Sequence, residues 1–198
     1  MESPATPAYE PERLHAIRHL NILDTPPEVR FDAITQAAAQ ELQVPISTIS
    51  IVDANREWFK SCVGTAATEG PRDVSFCGHT IVSGKIFVIN DTLKDARFAD
   101  NPQVTKPPHI RFYAGVTLHD HATHLPVGAF CVKDTEPREL TLQEFNALLQ
   151  YADKAEYELN KGFAPPVDGS GVIGQTPQPD SVHHMWKNMY GQQFGFCS

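Results

Sequence analysis

Residues 45–64 read PISTISIVDANREWFKSCVG, and this stretch decides the fold. From Ile46 to Val52 the chain is built almost wholly of Ile, Val, Thr and Ser, a composition that favours an extended strand. Asp53-Ala54-Asn55 supplies turn chemistry, because Asp and Asn side chains hydrogen-bond their own backbone. REWFKSCVG then reads as a second strand. Two strands joined by so short a turn must run antiparallel. Trp58 and Phe59 are neighbours on the second strand, so they point to opposite faces of the sheet. One belongs to a core; the other is an exposed anchor or a pocket wall.

Upstream, the spacing of Leu14, Ile17 and Leu20 predicts a short amphipathic helix over 12–22. The run Asp24-Thr25-Pro26-Pro27-Glu28 then suggests a helix start, with Thr25 as N-cap, Pro26 in the first turn and Glu28 as capping-box partner. Phe31, Ile34, Ala38 and Leu42 fall on one face of that helix. Downstream, TAATEGPRDV reads as a loop, Ser75 as the cap of a short helix through Val82, and KIFVIN as a strand. Residues 91–109 hold three prolines and little periodicity, the signature of a functional or lid-like loop. HIRFYAGVTL and LPVGAFCVKD are two more strands joined by HDHATH. Thr141 and Glu144 form a capping box for a helix carrying Leu142, Phe145, Leu148, Leu149, Ala152 and Leu159. The expected organisation is a flexible lead-in over 1–11, one domain over 12–160, and a disordered or weakly structured tail over 161–198, with a short binding segment near Trp186. Hairpin-linked strands between terminal helices give an α+β fold, not a doubly wound parallel sheet.

The net charge of −8, with scattered basic residues, argues against nonspecific binding to nucleic acid or an anionic membrane, which needs clustered Lys and Arg. No apolar run is long enough to span a bilayer. The start, MESPATPAYEPE, has neither a basic region nor an apolar stretch, so no secretory leader is expected and the cytoplasm is the expected compartment. Cys62, Cys77, Cys131 and Cys197 are far apart with no CxxC pair, a spacing that suits neither a disulfide framework nor a zinc knuckle.

Several groups have the makings of a site. Cys77 and His79 in SFCGHT sit at a helix start, where the backbone dipole favours a thiolate; the alternative is a small residue packed beneath the sheet. His119, His121 and His124 are close enough to hold zinc or copper, or to form a solvated hairpin tip, and no metal site is assigned. Arg97, Phe98, Asp100 and Asn101, with Arg111, Phe112 and Tyr113 just beyond, offer charge, hydrogen bonds and aromatic walls; equally, Arg97–Asp100 and Phe98 could pin the loop down. Asp53 and Asp91 read as turn caps.

The blocks ILDTPPEVRFDAIT, VPISTISIVDANREWFKSCVG, PRDVSFCGHTIV, DARFADNPQV, HIRFYAGVTL and GAFCVKDTEPRELTLQEFNALLQYA, taken together from Glu12 to Leu159, resemble the GAF sensory domains of histidine kinases and diguanylate cyclases. The resemblance implies a central antiparallel sheet of five or six strands, with terminal helices on one face and loops or short helices over the other. It also implies a ligand pocket between sheet and loops, dimerisation through the terminal helices, and an output carried by a partner such as a separate kinase, since the residues after the last helix are too few for a kinase or cyclase. The expected ligand-binding residues are Trp58, Cys77, His79, Arg97, Phe98, Asp100, Asn101, Arg111 and Tyr113.

The ligand itself is not legible. The Asn-Lys…Phe…Asp-Glu signature of cyclic-nucleotide-binding members is missing. Pro108-His109 stands where phytochrome-type members carry a bilin-attaching Cys-His. Residues 95–115 contain no cysteine where free methionine-(R)-sulfoxide reductases carry a reactive one. A non-enzymatic, small-molecule-binding regulator is therefore expected, with a thiol-based redox enzyme or sensor and a non-binding dimerisation scaffold as the alternatives.

Overall fold

The computed structural model of the protein describes residues 1–161. The expectations for a tail and a segment near Trp186 lie outside the described residues, Lys161 apart. Two helices, α1 (Glu10–His19) and α2 (Val29–Glu41), precede the hairpin of β1 (Ile46–Val52) and β2 (Arg56–Val63). A short strand β3 (Glu69–Pro71), a 3-10 turn and α3 (Phe76–Ser83) follow. Then come β4 (Ile86–Ile89), α4 (Pro102–Thr105), the hairpin β5 (Phe112–His119) and β6 (Pro126–Asp134), and α5 (Leu142–Asn160). The six strands form one sheet in the order β3-β2-β1-β6-β5-β4, with every neighbouring pair antiparallel.

Helices α1, α2 and α5 cover one face. Their core joins Ile17, Phe31, Ala38, Leu42, Leu148 and Ala152 to Ile49, Ile51, Trp58, Phe112, Phe130 and Val132 of the sheet. The other face carries Phe76, Cys77 and Ile81 of α3, with Phe98, Val104 and Ile110 of the long loop, against Ile46, Val52, Tyr113, Ala129 and Cys131. β1 lies at the centre and is covered on both sides, so all seven of its residues are buried. Its side chains point to the two cores in turn, Ile49 and Ile51 toward the helices and Ile46 and Val52 toward the loops. The register of β1 and β2 slips between Ile49 and Ser50, where Ser50 faces Phe59 and Ile49 faces Ser61. The residue left over is Lys60, a β-bulge. It keeps its ammonium on the helix side, 2.6 Å from Glu28 and 2.8 Å from Thr25 Oγ1, and Cys62 returns to the opposite face.

Several local readings change, and the stretch TAATEGPRDV, read as a loop, holds β3. α1 starts at Glu10, two residues before the expected Glu12. The Thr25 capping box does not form: Glu28, extended at φ −131°, is the residue before α2, with no side-chain cap. Pro26-Pro27 holds the preceding chain extended, and Thr25 Oγ1 instead donates to Ile22 O at 2.6 Å. The Thr141–Glu144 box does form, with both reciprocal bonds in place at the head of α5. Nor do residues 1–9 fray. The Glu2 amide donates to Arg97 O at 3.0 Å and the Met1 amino group pairs with Asp100, while Pro4 lies over Gly78.

α1 is tied to the hairpin by charge. Arg13, with no exposed side chain, donates twice to Glu10 at 2.7 Å and once to Val52 O at 2.6 Å. Arg72 reaches the same Glu10 carboxylate. Burial works to raise the Glu10 pKa, but the two guanidinium groups outweigh it and hold it at about 2.

Candidate functional site

The space under the long loop is filled. Phe76 stacks on Phe98 with centroids 4.7 Å apart and planes 9° apart, and on Tyr113 at 5.1 Å and 19°. The Tyr113 ring lies across Gly115, where a β-carbon would stand 2.2 Å from its hydroxyl. That hydroxyl makes a 2.6 Å bond with Thr80 Oγ1 and donates to Cys77 Sγ at 3.3 Å. Phe112, one residue away, faces the helices instead.

The structure places the nine residues expected to bind a ligand as follows. Trp58 belongs to the helix-side core, and Phe59 is the one that faces the loops. Cys77 is wholly buried, and burial pushes its thiol well above the usual value; the helix dipole does not yield a reactive thiolate there, because desolvation dominates. His79 is mostly buried, its edge on the Phe98 ring and its Nε2 3.0 Å from Glu2 O, and burial lowers its pKa. Arg97 pairs with Asp95 at 2.6 Å, not with Asp100, and lies over the Phe87 and Phe98 rings. Asp100 is 68% exposed and meets the amino terminus. Asn101 caps α4 and donates to Val74 O at 3.0 Å. Arg111 holds Asp91 at 2.9 Å and thereby keeps that carboxyl below the usual aspartate range. Asp91 also accepts from the Leu93 amide, and Asp53 from the Ala54 amide, so both serve as the turn caps read from the sequence.

The histidine hairpin closes on α5. His119 Nδ1 lies 3.2 Å and His121 Nε2 3.3 Å from opposite oxygens of Glu156, and the His119 amide donates to the same carboxylate at 2.7 Å. Among the described residues no cluster of His, Cys, Asp and Glu has the makings of a metal site.

Open space lies one strand over. A cleft of about 390 Å³ is floored by Ile46 and Thr48 of β1, Glu57 and Phe59 of β2 and Lys133 of β6. It is walled by 65–71 on one side and by Pro102, Gln103, Lys106, Pro107, Pro108 and Ile110 on the other. Its volume falls at the small end of the range for metabolite pockets. Two of its residues are ionisable and almost wholly buried: Glu57 is 2% and Lys133 4% exposed. Ser75 Oγ donates to Glu57 Oε2, while Oε1 has no partner among the described residues. Lys133 makes no hydrogen bond or ion pair among them; its ammonium sits 5.8 Å from the Phe59 ring centre. Burial works against that charge, but Cys131 first and Glu57 second outweigh it and raise the Lys133 pKa. A larger groove of about 510 Å³ between α2 and α5, lined by Arg30, Ile34, Asp153, Lys154, Tyr157 and Glu158, contains no buried unpaired polar group.

None of the nine expected residues lines the cleft, and Glu57 and Lys133 went unremarked in the sequence. Their signal was a charged residue inside a strand covered on both faces. Lys133 interrupts the apolar run AFCVKD, on the same side as Cys131, and a lone charge in such a run needs a reason.

The sequence profile of the GAF domain family matches residues 26–159, most of the chain, and the protein belongs to that family. A cyclic di-GMP phosphodiesterase of Pseudomonas aeruginosa is 37% identical over 151 residues, which cover 76% of this chain and 26% of the relative. The chain thus spans about a quarter of that protein. Among solved structures, a type II free methionine-R-sulfoxide reductase from Thermoplasma acidophilum superposes with a TM-score of 0.55 at 11% identity, over 75% of this chain and 98% of that one. The PixJ GAF domain of Thermosynechococcus elongatus, in its blue-light-absorbing form, gives 0.54 at 11% identity, over 91% and 98%. At such identities the likeness is one of fold. No helix among the described residues is long and apolar enough to cross a membrane.

Proposed function

We propose that this GAF domain is a sensory module that binds a small molecule in the cleft over β1, β2 and β6 and regulates a partner by a change in its terminal helices. The observation that carries the reading is on the floor of an open cleft: Glu57, whose Oε1 is buried with no partner among the described residues, beside Lys133, whose ammonium makes no ion pair among them. A buried unpaired charge or carboxylate oxygen costs several kcal/mol, and a guest that supplies the missing contacts removes that cost. This cleft lies under the 102–110 part of the long loop; the neighbouring space is taken by the stacked rings of Phe76, Phe98 and Tyr113. The reading is one of binding and not of catalysis: Cys77 and Cys131 are wholly buried, and the ligand's effect is its differential affinity for two states of the domain. A homodimer through the terminal helices, or a separate signalling protein, would receive the change.

Gly70 provides the test. It lines the cleft, and a β-carbon there meets nothing within 4 Å. Gly70→Trp therefore fills the cleft at little folding cost. Native mass spectrometry and thermal-shift screening of a metabolite library should find a ligand that stabilises the wild type and loses its effect in Gly70→Trp. A library without hits, or hits indifferent to the plug, would refute the cleft as the sensor site.

A further inference from the structure

The chemistry of the cleft floor goes further than its location. Glu57 and Lys133 come from β2 and β6, the two strands that flank β1. Their backbone positions lie at opposite ends of β1, Glu57 facing Val52 and Lys133 facing Ile46, yet the Glu57 charge still acts on the Lys133 ammonium. The two line one cleft without an ion pair between them. Between them the floor is Thr48 and Phe59, and Thr48 Oγ1 is already engaged with Ser50 Oγ at 3.1 Å and Cys131 Sγ at 3.0 Å. The walls are mixed: Pro71, Val74, Pro107, Pro108 and Ile110 are apolar, while Thr65, Glu69, Gln103 and Lys106 are polar.

The cleft is thus a trough whose floor carries an acceptor, Glu57 Oε1, without a partner among the described residues, and a cation, Lys133 Nζ. Resting on the reading of this cleft as the ligand site, we infer that its ligand is an amphoteric molecule, with an ammonium or other N–H donor set against Glu57 and a carboxylate or comparable anion set against Lys133. The other classes each leave a cost in place. A simple anion would satisfy Lys133 and bring a second negative charge into the enclosure of Glu57. A simple cation does the reverse. A neutral apolar guest would strip solvent from both charges and pair neither, which is the most expensive arrangement of the three. Only a guest with both ends gives Glu57 Oε1 its donor and Lys133 Nζ its acceptor, and charge-assisted hydrogen bonds are the stronger kind.

A series of ω-amino acids measures the trough. Glycine, β-alanine, 4-aminobutyrate, 5-aminopentanoate and 6-aminohexanoate carry the same two ends at increasing separation. Their affinities for the full chain are read by isothermal calorimetry, beside pentanoate and pentylamine as one-ended controls. Affinity is expected to rise to an optimum length and to exceed that of either one-ended control by about tenfold or more. Glu57→Gln is expected to remove the advantage over pentanoate, and Lys133→Met the advantage over pentylamine. Melting of each variant without ligand is read beside its affinity, and each keeps binding its own one-ended control, Glu57→Gln pentanoate and Lys133→Met pentylamine, so loss of the advantage is separable from loss of fold. Pentanoate or pentylamine binding as well as the matched ω-amino acid would overturn the two-ended class. So would a library ligand of another class that Gly70→Trp abolishes while every ω-amino acid fails; in that case the cleft remains the sensor site. If Gly70→Trp abolishes nothing, the cleft reading falls as well.

Discussion

Replacing Phe98 with alanine tests whether the long loop is a packed layer or a lid. Phe98 has no exposed surface. Its ring is stacked on Phe76 at 4.7 Å, met by the edge of His79 at 4.7 Å, and covered by the Arg97 guanidinium at 5.4 Å. Truncating a phenylalanine so enclosed costs about 3–5 kcal/mol, the lost transfer energy plus the cavity left behind. The ring pairs place Phe98→Ala in the upper part of that interval, at about 4 kcal/mol. For a domain of this size each kcal/mol moves Tm by roughly 2–4 °C, so a fall of about 8–16 °C is expected. Urea denaturation and calorimetry on the purified chain would read both quantities, with the exposed Asp100 as comparison: Asp100→Ala should stay within about 0.5 kcal/mol of wild type. A loss below about 1 kcal/mol for Phe98→Ala would refute the packed layer, because a side chain on a loosely held lid has little to lose.

Three further outcomes follow from the geometry. Thr141→Ala removes the hydroxyl half of the capping box on α5 and leaves the Thr141 amide on Glu144; it should cost about 1 kcal/mol, measured as a lower urea midpoint. The depressed pKa of Glu10 sets the acid behaviour: its contribution is fully present above the ordinary glutamate value of 4.5 and is lost as pH falls toward about 2. The wild type should therefore lose stability more steeply than Glu10→Gln across that window, and parallel curves would dismiss the Glu10–Arg13–Arg72 tie. Glu156→Ala should speed hydrogen exchange at the His119 amide by about tenfold or more, since that amide loses a charged acceptor; unchanged exchange would mean that the hairpin is held by its neighbours alone.

The sheet was legible because its code is local. The Ile, Val and Thr of ISTISIV, the Asp53–Asn55 turn and the HDHATH connection each specify a strand or a reversal within a few residues, and antiparallel pairing then follows. The α5 cap was legible for the same reason, since its two partners are three residues apart. The Thr25 cap misled because the same residue types also serve a distant lysine: Thr25 and Glu28 are taken up by Lys60, 35 and 32 positions on. The site was the least legible part. Arg97, Phe98 and Tyr113 have the composition of a pocket lining, but composition does not tell a lining from a filling; that depends on whether Phe76, from another element, reaches between them. Glu57 and Lys133 are ordinary charged residues until β1 brings β2 and β6 to its two sides.

Val132 and Lys133 are consecutive residues of β6, yet Val132 packs in the core beneath α5 while Lys133 lines the cleft. The pleat of a strand turns adjacent side chains through the full thickness of the sheet. Whatever tugs on the lysine thus moves a backbone unit shared with the valine, and the layer that carries both ends of the domain stands one peptide bond from the guest. Communication across this molecule needs no rod, hinge or relay of contacts, only a strand with two different neighbours.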